Sequence, residues 1–343
     1  MQKQIPQYRV LLREAWHTTW THKALLVWGF FASLLGSFGE YEIVWRIMQS
    51  VKLATGDLEL ANSAFAKLTP RLVGSADLVW GWTTNTVLLP PAVLLLSIFL
   101  VVGAVYVLWL SFTAIIALIA ETRRLAKRSS ISLSDGFRAS QRHLGVTILL
   151  YTFGKVLVWL VGALVVMFGL LVLVDFWLGL PLLLTSFVVL LPLVFAISFT
   201  IRFAIIGVVA KEQSMHDALI DAIELVRRHW LVTLEMALTL MFITIGASLL
   251  AVIAISVLSM PTLVVATVLF EVGEIVLGQF FLALGVALLL LPIFITATFI
   301  GTYQWVSWTL LYTSLAKRDS LRSKIIRLAE RIIPNRPLRR SKR

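Results

Sequence analysis

The sequence predicts an all-α fold: a polytopic transmembrane helical bundle of about six spans, arranged as three repeated helix-hairpin units with interfacial amphipathic helices. Three observations predict it. The 343 residues are 59% hydrophobic and only 14% charged, whereas a water-soluble chain carries roughly a quarter charged residues. Charge-free runs recur at lengths that match or exceed the ~20 residues a helix needs to cross about 30 Å of hydrocarbon. A polar phrase interrupts them three times on nearly the same letters: LAKRSS at 125–130, VAKEQS at 209–214 and LAKRDS at 315–320.

The chain opens on MQKQIPQYRVLLREAWHTTWTHK. This stretch is amphipathic and lacks a short basic head running into an apolar core with a small-residue cleavage site. No cleaved signal peptide is therefore expected, and the first span serves as its own insertion signal. That span, about 24–41, contains the 16-residue charge-free run Ala24–Gly39. Segment 40–86 is too long for a plain turn. Its apolar positions Ile43, Ile47, Val51, Leu60, Ala64 and Leu68 suggest short helices on the outer surface. The second span, about 90–118, lies in the 34-residue run Val87–Ala120. The third, 152–174, and the fourth, 181–205, are separated only by Asp175. The fifth, 232–257, and the sixth, 280–312, lie in runs of 35 and 42 residues. Neither long run contains a convincing polar turn, so each is read as one overshooting, tilted or bent helix. Pro192 and Pro292 each remove an N–H inside a span and favour a bend.

Lys and Arg counts set the orientation. Four precede residue 24, six lie in 123–142, three in 211–228 and eleven follow Ala316. Segment 40–86 carries four against five acids, and 259–278 carries none. The positive-inside rule then places both termini in the cytoplasm of a cell or inner membrane. Trp16, Trp20, Trp45, Trp80, Trp82, Trp177, Trp230, Trp305 and Trp308 fall near expected interfaces, as an aromatic belt requires.

The repeated phrase marks the inner boundary of an outward-to-inward span, where Lys reaches the headgroups and the chain turns sideways. Ser132-Leu-Ser-Asp135 and Ser214-Met-His-Asp217 follow two of the phrases, both in the S-x-x-D form that caps a helix start. Asp319-Ser320 can cap a third. Apolar residues then recur at helical spacing: Met215, Leu219, Ile223 and Val226 in one stretch, and Leu321, Ile325, Leu328 and Ile332 in another. Both read as helices lying in the membrane interface. RHLGVT at 142–147 and RHWLVT at 228–233 agree at four of six positions, 86 apart. Ser111-Phe-Thr113 and Ser198-Phe-Thr200 agree 87 apart. Thr21-His22-Lys23 ends the first surface helix in the same manner. Residues 1–318 therefore form the transmembrane domain, in units of about 7–130, 131–214 and 215–318. Residues 319–343 form a basic amphipathic helix and cytoplasmic tail.

This succession of surface helix and span pair, with VAKEQSMHDALIDAIELVRRHW at 209–230, resembles bacterial six-span membrane proteins of unknown function. These include the membrane domain attached to some glycerophosphoryl diester phosphodiesterases. The soluble catalytic barrel of that family, with its acidic metal ligands and His, has no counterpart here, so the resemblance implies fold and not hydrolysis.

The chemistry-bearing residues are few. The absence of Cys excludes disulfides, thiolate metal sites and a Cys nucleophile. No P-loop, dinucleotide fingerprint or nucleophile elbow occurs, and no cofactor or metal is expected. Lys155, Arg202 and Glu235 fall inside or beside spans, where an unpaired charge is expensive. They form a candidate intramembrane polar cluster. Either it is a site for an anionic headgroup or proton-coupled solute, or the two cations snorkel and Glu235 balances them. The candidate headgroup contacts are Arg142, His143, Arg228, His229, Lys127, Lys211 and Lys317. His17, His22 and His216 show no metal-ligand spacing with the other two His residues. Gly36 and Gly39, Gly162 and Gly169, Gly278 and Gly285, and Ala247 and Ala251 are small-residue packing sites.

The net charge of +12 favours anionic lipid headgroups as partners over nucleic acid, for which no binding module is present. A separate protein chain is a further possible partner. The expected function is that of a non-enzymatic integral membrane protein, lipid-interacting or scaffolding at the inner leaflet. The alternative is a transporter or permease for a small anionic solute. An intramembrane lipid enzyme is the weakest class, because no base accompanies the Ser and Thr hydroxyls.

Overall fold

The computed structural model describes residues 8–35, 91–126 and 133–316. Among them every regular element is a helix: α1 Tyr8–Thr21, α2 Ala24–Leu34, α3 Pro91–Ala126, α4 Leu133–Val174, α5 Phe176–Lys211, α6 Met215–Glu271 and α7 Ile275–Ala316. Five of these, α3 to α7, are long and apolar enough to cross a membrane, and α2 is a shorter apolar helix. Their surfaces are inverted relative to a soluble bundle. Only 6% of the most apolar stretch of α6 is buried, and Phe242, Leu249, Leu250 and Ile253 stand exposed. In water each such side chain would forgo ~1.5–3 kcal/mol of burial; in hydrocarbon it forgoes little. The chain is an integral membrane protein of polytopic helical architecture. Segment 40–86, with its expected surface helices, and everything beyond residue 316 lie outside the described residues.

The helix breaks follow local chemistry. Between α1 and α2 the break falls at His22-Lys23. The α4–α5 hairpin turns on the single residue Asp175, whose carboxylate accepts from the N–H groups of Trp177 at 3.0 Å and Leu178 at 3.2 Å. That caps α5 at its electropositive end. Ser214 caps α6: its hydroxyl accepts from the Asp217 N–H at 3.2 Å and donates to the Asp217 carboxylate at 2.7 Å. α6 is interrupted at His229, where φ is −123° and ψ is 28°, so Met215–Arg228 is a separate leg before the apolar stretch. The equivalent stretch 142–147 is instead continuous helix within α4.

The α6–α7 hairpin closes with Gly273 at φ +87°. Gly273 N–H donates to Phe270 O at 3.2 Å and Glu274 N–H to Leu269 O at 2.9 Å. This is the paired pattern that ends a helix on a left-handed glycine. α6 therefore runs to Glu271, well past the expected end of the fifth span near 257, because no charged residue intervenes before Glu271 and the hydroxyls of Ser259, Thr262 and Thr267 bond back to the helix. Pro261 and Pro292 sit inside α6 and α7, and Pro181 and Pro192 inside α5, without ending them.

The chain divides into two compact units. The first takes in residues up to 35, 111–148 and 202 onward. Its core is built from Ala114–Ile119 of α3, Phe203–Ala210 of α5 and Tyr303–Leu315 of α7, nearly all buried. These three segments immediately precede the three polar phrases. Phe203 packs edge-on against Trp308, with ring centroids 5.8 Å apart, and meets Tyr312 at 5.8 Å. Trp305 and Trp308 are thus core residues and not members of an aromatic belt, whereas Trp16, Trp20, Trp177 and Trp230 are exposed as expected. α7 packs against α6, α2 and α1. Trp16 meets Phe299 at 4.9 Å and Tyr303 at 5.8 Å. The second unit, 36–110 and 149–201, centres on Val158, Val161, Val165 and Val172 of α4 with Leu183 and Val194 of α5.

Close helix approach is purchased with glycine. A Cβ on Gly29 would fall on the Thr302 hydroxyl and lie 2.9 Å from Thr298 O. In the α6–α7 hairpin, a Cβ on Gly278 would lie 2.7 Å from the Phe270 ring, and one on Gly285 2.8 Å from Leu263. Gly278 and Gly285 therefore serve packing within the chain. Gly103 has open space around it. Gly29→Val is expected to destabilise the protein by roughly 1–3 kcal/mol through overpacking. Gly103→Ala should be neutral or slightly stabilising. Thermal unfolding in mild detergent, followed by circular dichroism, checks both.

Candidate functional site

The site is built where α3 ends and α4 begins. Glu121 is fully buried near the end of α3, and Arg124, one turn on, reaches it at 3.4 Å. The same guanidinium meets Asp135 in the first turn of α4 at 2.8 Å. One arginine thus ties two helices together, with Asp135 also favourably placed at the helix N-terminus. Gly136 allows the approach: a Cβ there would already touch Ala117 and Glu121 at 3.3 Å.

Above this tie lies an open cleft of about 590 Å³. Arg123, Arg124, Asp135, Arg138, Gln141, Arg142, His143 and Glu212 supply its polar lining; Ala120, Ala139 and Val209 complete it. Arg138 and Arg142 stand four residues apart on one face of α4. Among the described residues Arg123, Arg138 and Arg142 form no ion pair, whereas Arg124 is engaged by two carboxylates. Burial pulls the His143 imidazole below its ordinary pKa and Arg142 adds to this, while the Glu212 carboxylate opposes both.

Glu212 reaches the cleft from the end of α5 through a left-handed backbone, φ +57°. The next residue, Gln213, donates from Nε2 to Asp221 at 2.7 Å. Lys211 reaches the same Asp221 oxygen at 3.3 Å and stands over the Tyr312 ring, 5.4 Å from its centroid. The Gln213 amide and Lys211 ammonium hold the Asp221 carboxyl below the usual carboxylate range against opposing burial. The phrase VAKEQS is therefore a turn with four assigned parts: Lys211 and Gln213 clamp Asp221, Glu212 lines the cleft, and Ser214 caps α6.

Of the expected headgroup contacts, the cleft brings together Arg142 and His143. Lys211 serves the Asp221 clamp. Arg228 and His229 sit at the break in α6, and burial followed by Arg228 lowers the His229 pKa. Lys127 and Lys317 lie outside the described residues. Of the intramembrane candidates, Arg202 is 5% exposed and stacks its guanidinium 4.8 Å from the Trp308 ring centroid in the first unit. Glu235 is half-buried on α6. Lys155 belongs to the second unit, where its ammonium lies 5.8 Å from the Tyr151 ring centroid. The leg 215–228 buries Ala218, Ala222 and Val226 and leaves Ile220 and Ile223 exposed. Of the expected Met215, Leu219, Ile223 and Val226 series, Val226 packs inward, Met215 and Leu219 are half-buried and Ile223 is exposed.

Sequence reasoning missed Arg123, Arg138 and Glu212 as site residues. The Arg138–Arg142 spacing was a readable signal, but Arg138 entered only as one of six charges in an orientation count. Among the described residues no group of three potential metal ligands assembles.

Two outcomes test this geometry. Arg124→Met removes one charged partner of the buried Glu121 carboxylate together with the tie to Asp135, a costly loss at a buried charge. It should lower the melting temperature more than Arg142→Gln, which breaks no ion pair. The depressed His143 pKa means that the unfolded chain binds its proton first as pH falls. Stability from this group is complete above about pH 6.5 and declines as pH drops below that value. Melting temperatures measured from pH 7.5 to 5 should fall less steeply in His143→Gln than in wild type.

No known protein family, curated protein or solved structure matches the chain.

Proposed function

We propose that the protein is a non-enzymatic component of a cell or inner membrane that binds anionic lipid headgroups at the inner leaflet, with both termini cytoplasmic. One observation carries this reading: three arginines without a carboxylate partner among the described residues line an open cleft from two helices at their basic end. Basic clusters at that depth attract anionic lipid at about 1 kcal/mol per Lys or Arg. The exposed Ile220 and Ile223 on the 215–228 leg, beside the charged Asp217, Glu224 and Arg228, suit a helix lying in the interface. The aromatic contacts of Arg202 and Lys155 favour a structural role for these two charges over a transport pathway.

Native mass spectrometry of protein extracted in mild non-ionic detergent tests the reading. Wild type should retain anionic phospholipid over zwitterionic phospholipid, and a Lys155→Gln/Arg202→Gln/Glu235→Gln variant should retain it equally. No anionic preference in wild type would defeat the proposal. Loss of retention only in the triple variant would move the site to the intramembrane charges.

A further inference from the structure

Three features of the cleft have no structural use within the chain. Arg138 and Arg142 are like charges at i and i+4, a spacing that destabilises a helix by ~0.2–0.5 kcal/mol, and Arg123 faces the same space from α3. Glu212 holds a left-handed φ of +57° that a non-glycine residue adopts at a cost. It also places a carboxylate at the negative end of the α5 dipole, where it is repelled. Its carboxylate lines the same cleft as three arginines with which no described carboxylate pairs.

We propose that the cleft is a receptor for a phosphate group, in which Arg123, Arg138 and Arg142 take the phosphate oxygens and Glu212 is a like charge on the lining that weakens the binding. The inference deepens the lipid-contact reading and rests on it only for where the phosphate comes from, a lipid headgroup or a small soluble ester. The choice of phosphate follows from the donors. One guanidinium fork satisfies both oxygens of a carboxylate, whereas three guanidiniums approaching from two helices match a tetrahedral oxyanion with several acceptor oxygens. Gln141, on the same wall, adds a neutral donor. His143, on the same lining, can donate a further hydrogen bond from its ring. Arg124 takes no part, because Glu121 and Asp135 already hold it; it is a positioning residue that fixes the α3 wall against the α4 wall.

The negative charge of Glu212 on the cleft lining gives the proposal an outcome that damage to the fold cannot imitate. Removing its charge should tighten phosphate binding, while removing arginines should weaken it. The full-length protein in non-ionic detergent is titrated with glycerol 3-phosphate, with succinate as a dicarboxylate control, by isothermal calorimetry. In parallel it is reconstituted in nanodiscs of phosphatidylglycerol and phosphatidylcholine, and retained lipid is counted by native mass spectrometry.

The expected result is binding of glycerol 3-phosphate, of phosphatidylglycerol, or of both, with little response to succinate. Arg138→Gln/Arg142→Gln should weaken it about tenfold or more, the value of one or two charge-assisted hydrogen bonds. Glu212→Gln should tighten it severalfold. Lipid binding alone, with that pattern of variants, identifies the headgroup as the source and supports both readings. Binding of glycerol 3-phosphate with lipid retention indifferent to the arginines keeps the phosphate receptor and removes the lipid reading of the cleft. Lipid retained equally by wild type and the double arginine variant, with glycerol 3-phosphate inert, overturns the receptor and leaves lipid contact to the surface helices. Weaker binding in Glu212→Gln, or succinate binding as tightly as the phosphate, also overturns it.

Discussion

The bridge of Arg124 between Glu121 and Asp135 is the interaction on which the basic end of the molecule depends. Glu121 is a fully buried carboxylate, and such a charge persists only with a partner and further hydrogen bonds. Its partner reaches out of α3 and takes Asp135 of α4 as well, so the end of one helix and the start of the next are set in register. The walls of the cleft are those two helix ends. The same bridge engages Arg124 and leaves Arg138 and Arg142 exposed along the cleft. A structural ion pair thus determines which cations are structural and which face outward.

Beneath that bridge the chain solves a problem that hydrocarbon imposes: every backbone polar group must find its partner within the protein. Long helices meet most of the demand, and short hydroxyl side chains meet the demand of their own oxygens by turning back on the helix. Thr233, Thr244, Thr302 and Thr309 each donate to the carbonyl four residues earlier. One polar contact runs between helices of the hairpin, from the Gln304 amide to Thr244 at 3.0 Å. Association otherwise relies on surfaces close enough for dispersion to act, which is why glycines stand at Gly29, Gly278 and Gly285.

Much of this was legible in the letters. Charge-free runs located the helices because hydrocarbon length and absence of charge are properties of sequence alone. Asp175, Ser214 and the His229 break were legible because caps and breaks depend on residues within a few positions. What was not legible depends on neighbours distant in the chain. Trp305 and Trp308 have the same letters as interfacial tryptophans, and only the packing of Phe203 against Trp308 shows that they face inward. Met215, Leu219, Ile223 and Val226 form an apolar stripe in the letters, but of the four only Val226 is buried, and the short side chains of Ala218 and Ala222 complete the packed face, where close approach favours them. Glu212 was passed over because a carboxylate at a helix end next to Lys reads as solvated charge. Its left-handed backbone and its place among arginines are tertiary facts.

The α6–α7 hairpin carries a final consequence. The 35 charge-free residues from Met236 to Phe270 span about 52 Å as helix, against about 30 Å of hydrocarbon. Tilt alone would have to reach about 55°, beyond the 0–40° found for membrane helices. The glycine-closed hairpin, held tight at Gly278 and Gly285, cannot shorten by folding back on itself. The surrounding lipid must stretch or the loop end must emerge among headgroups. Each ångström of mismatch costs a fraction of a kcal/mol, so the length of this hairpin is accommodated at lower cost by a thick bilayer than by a thin one.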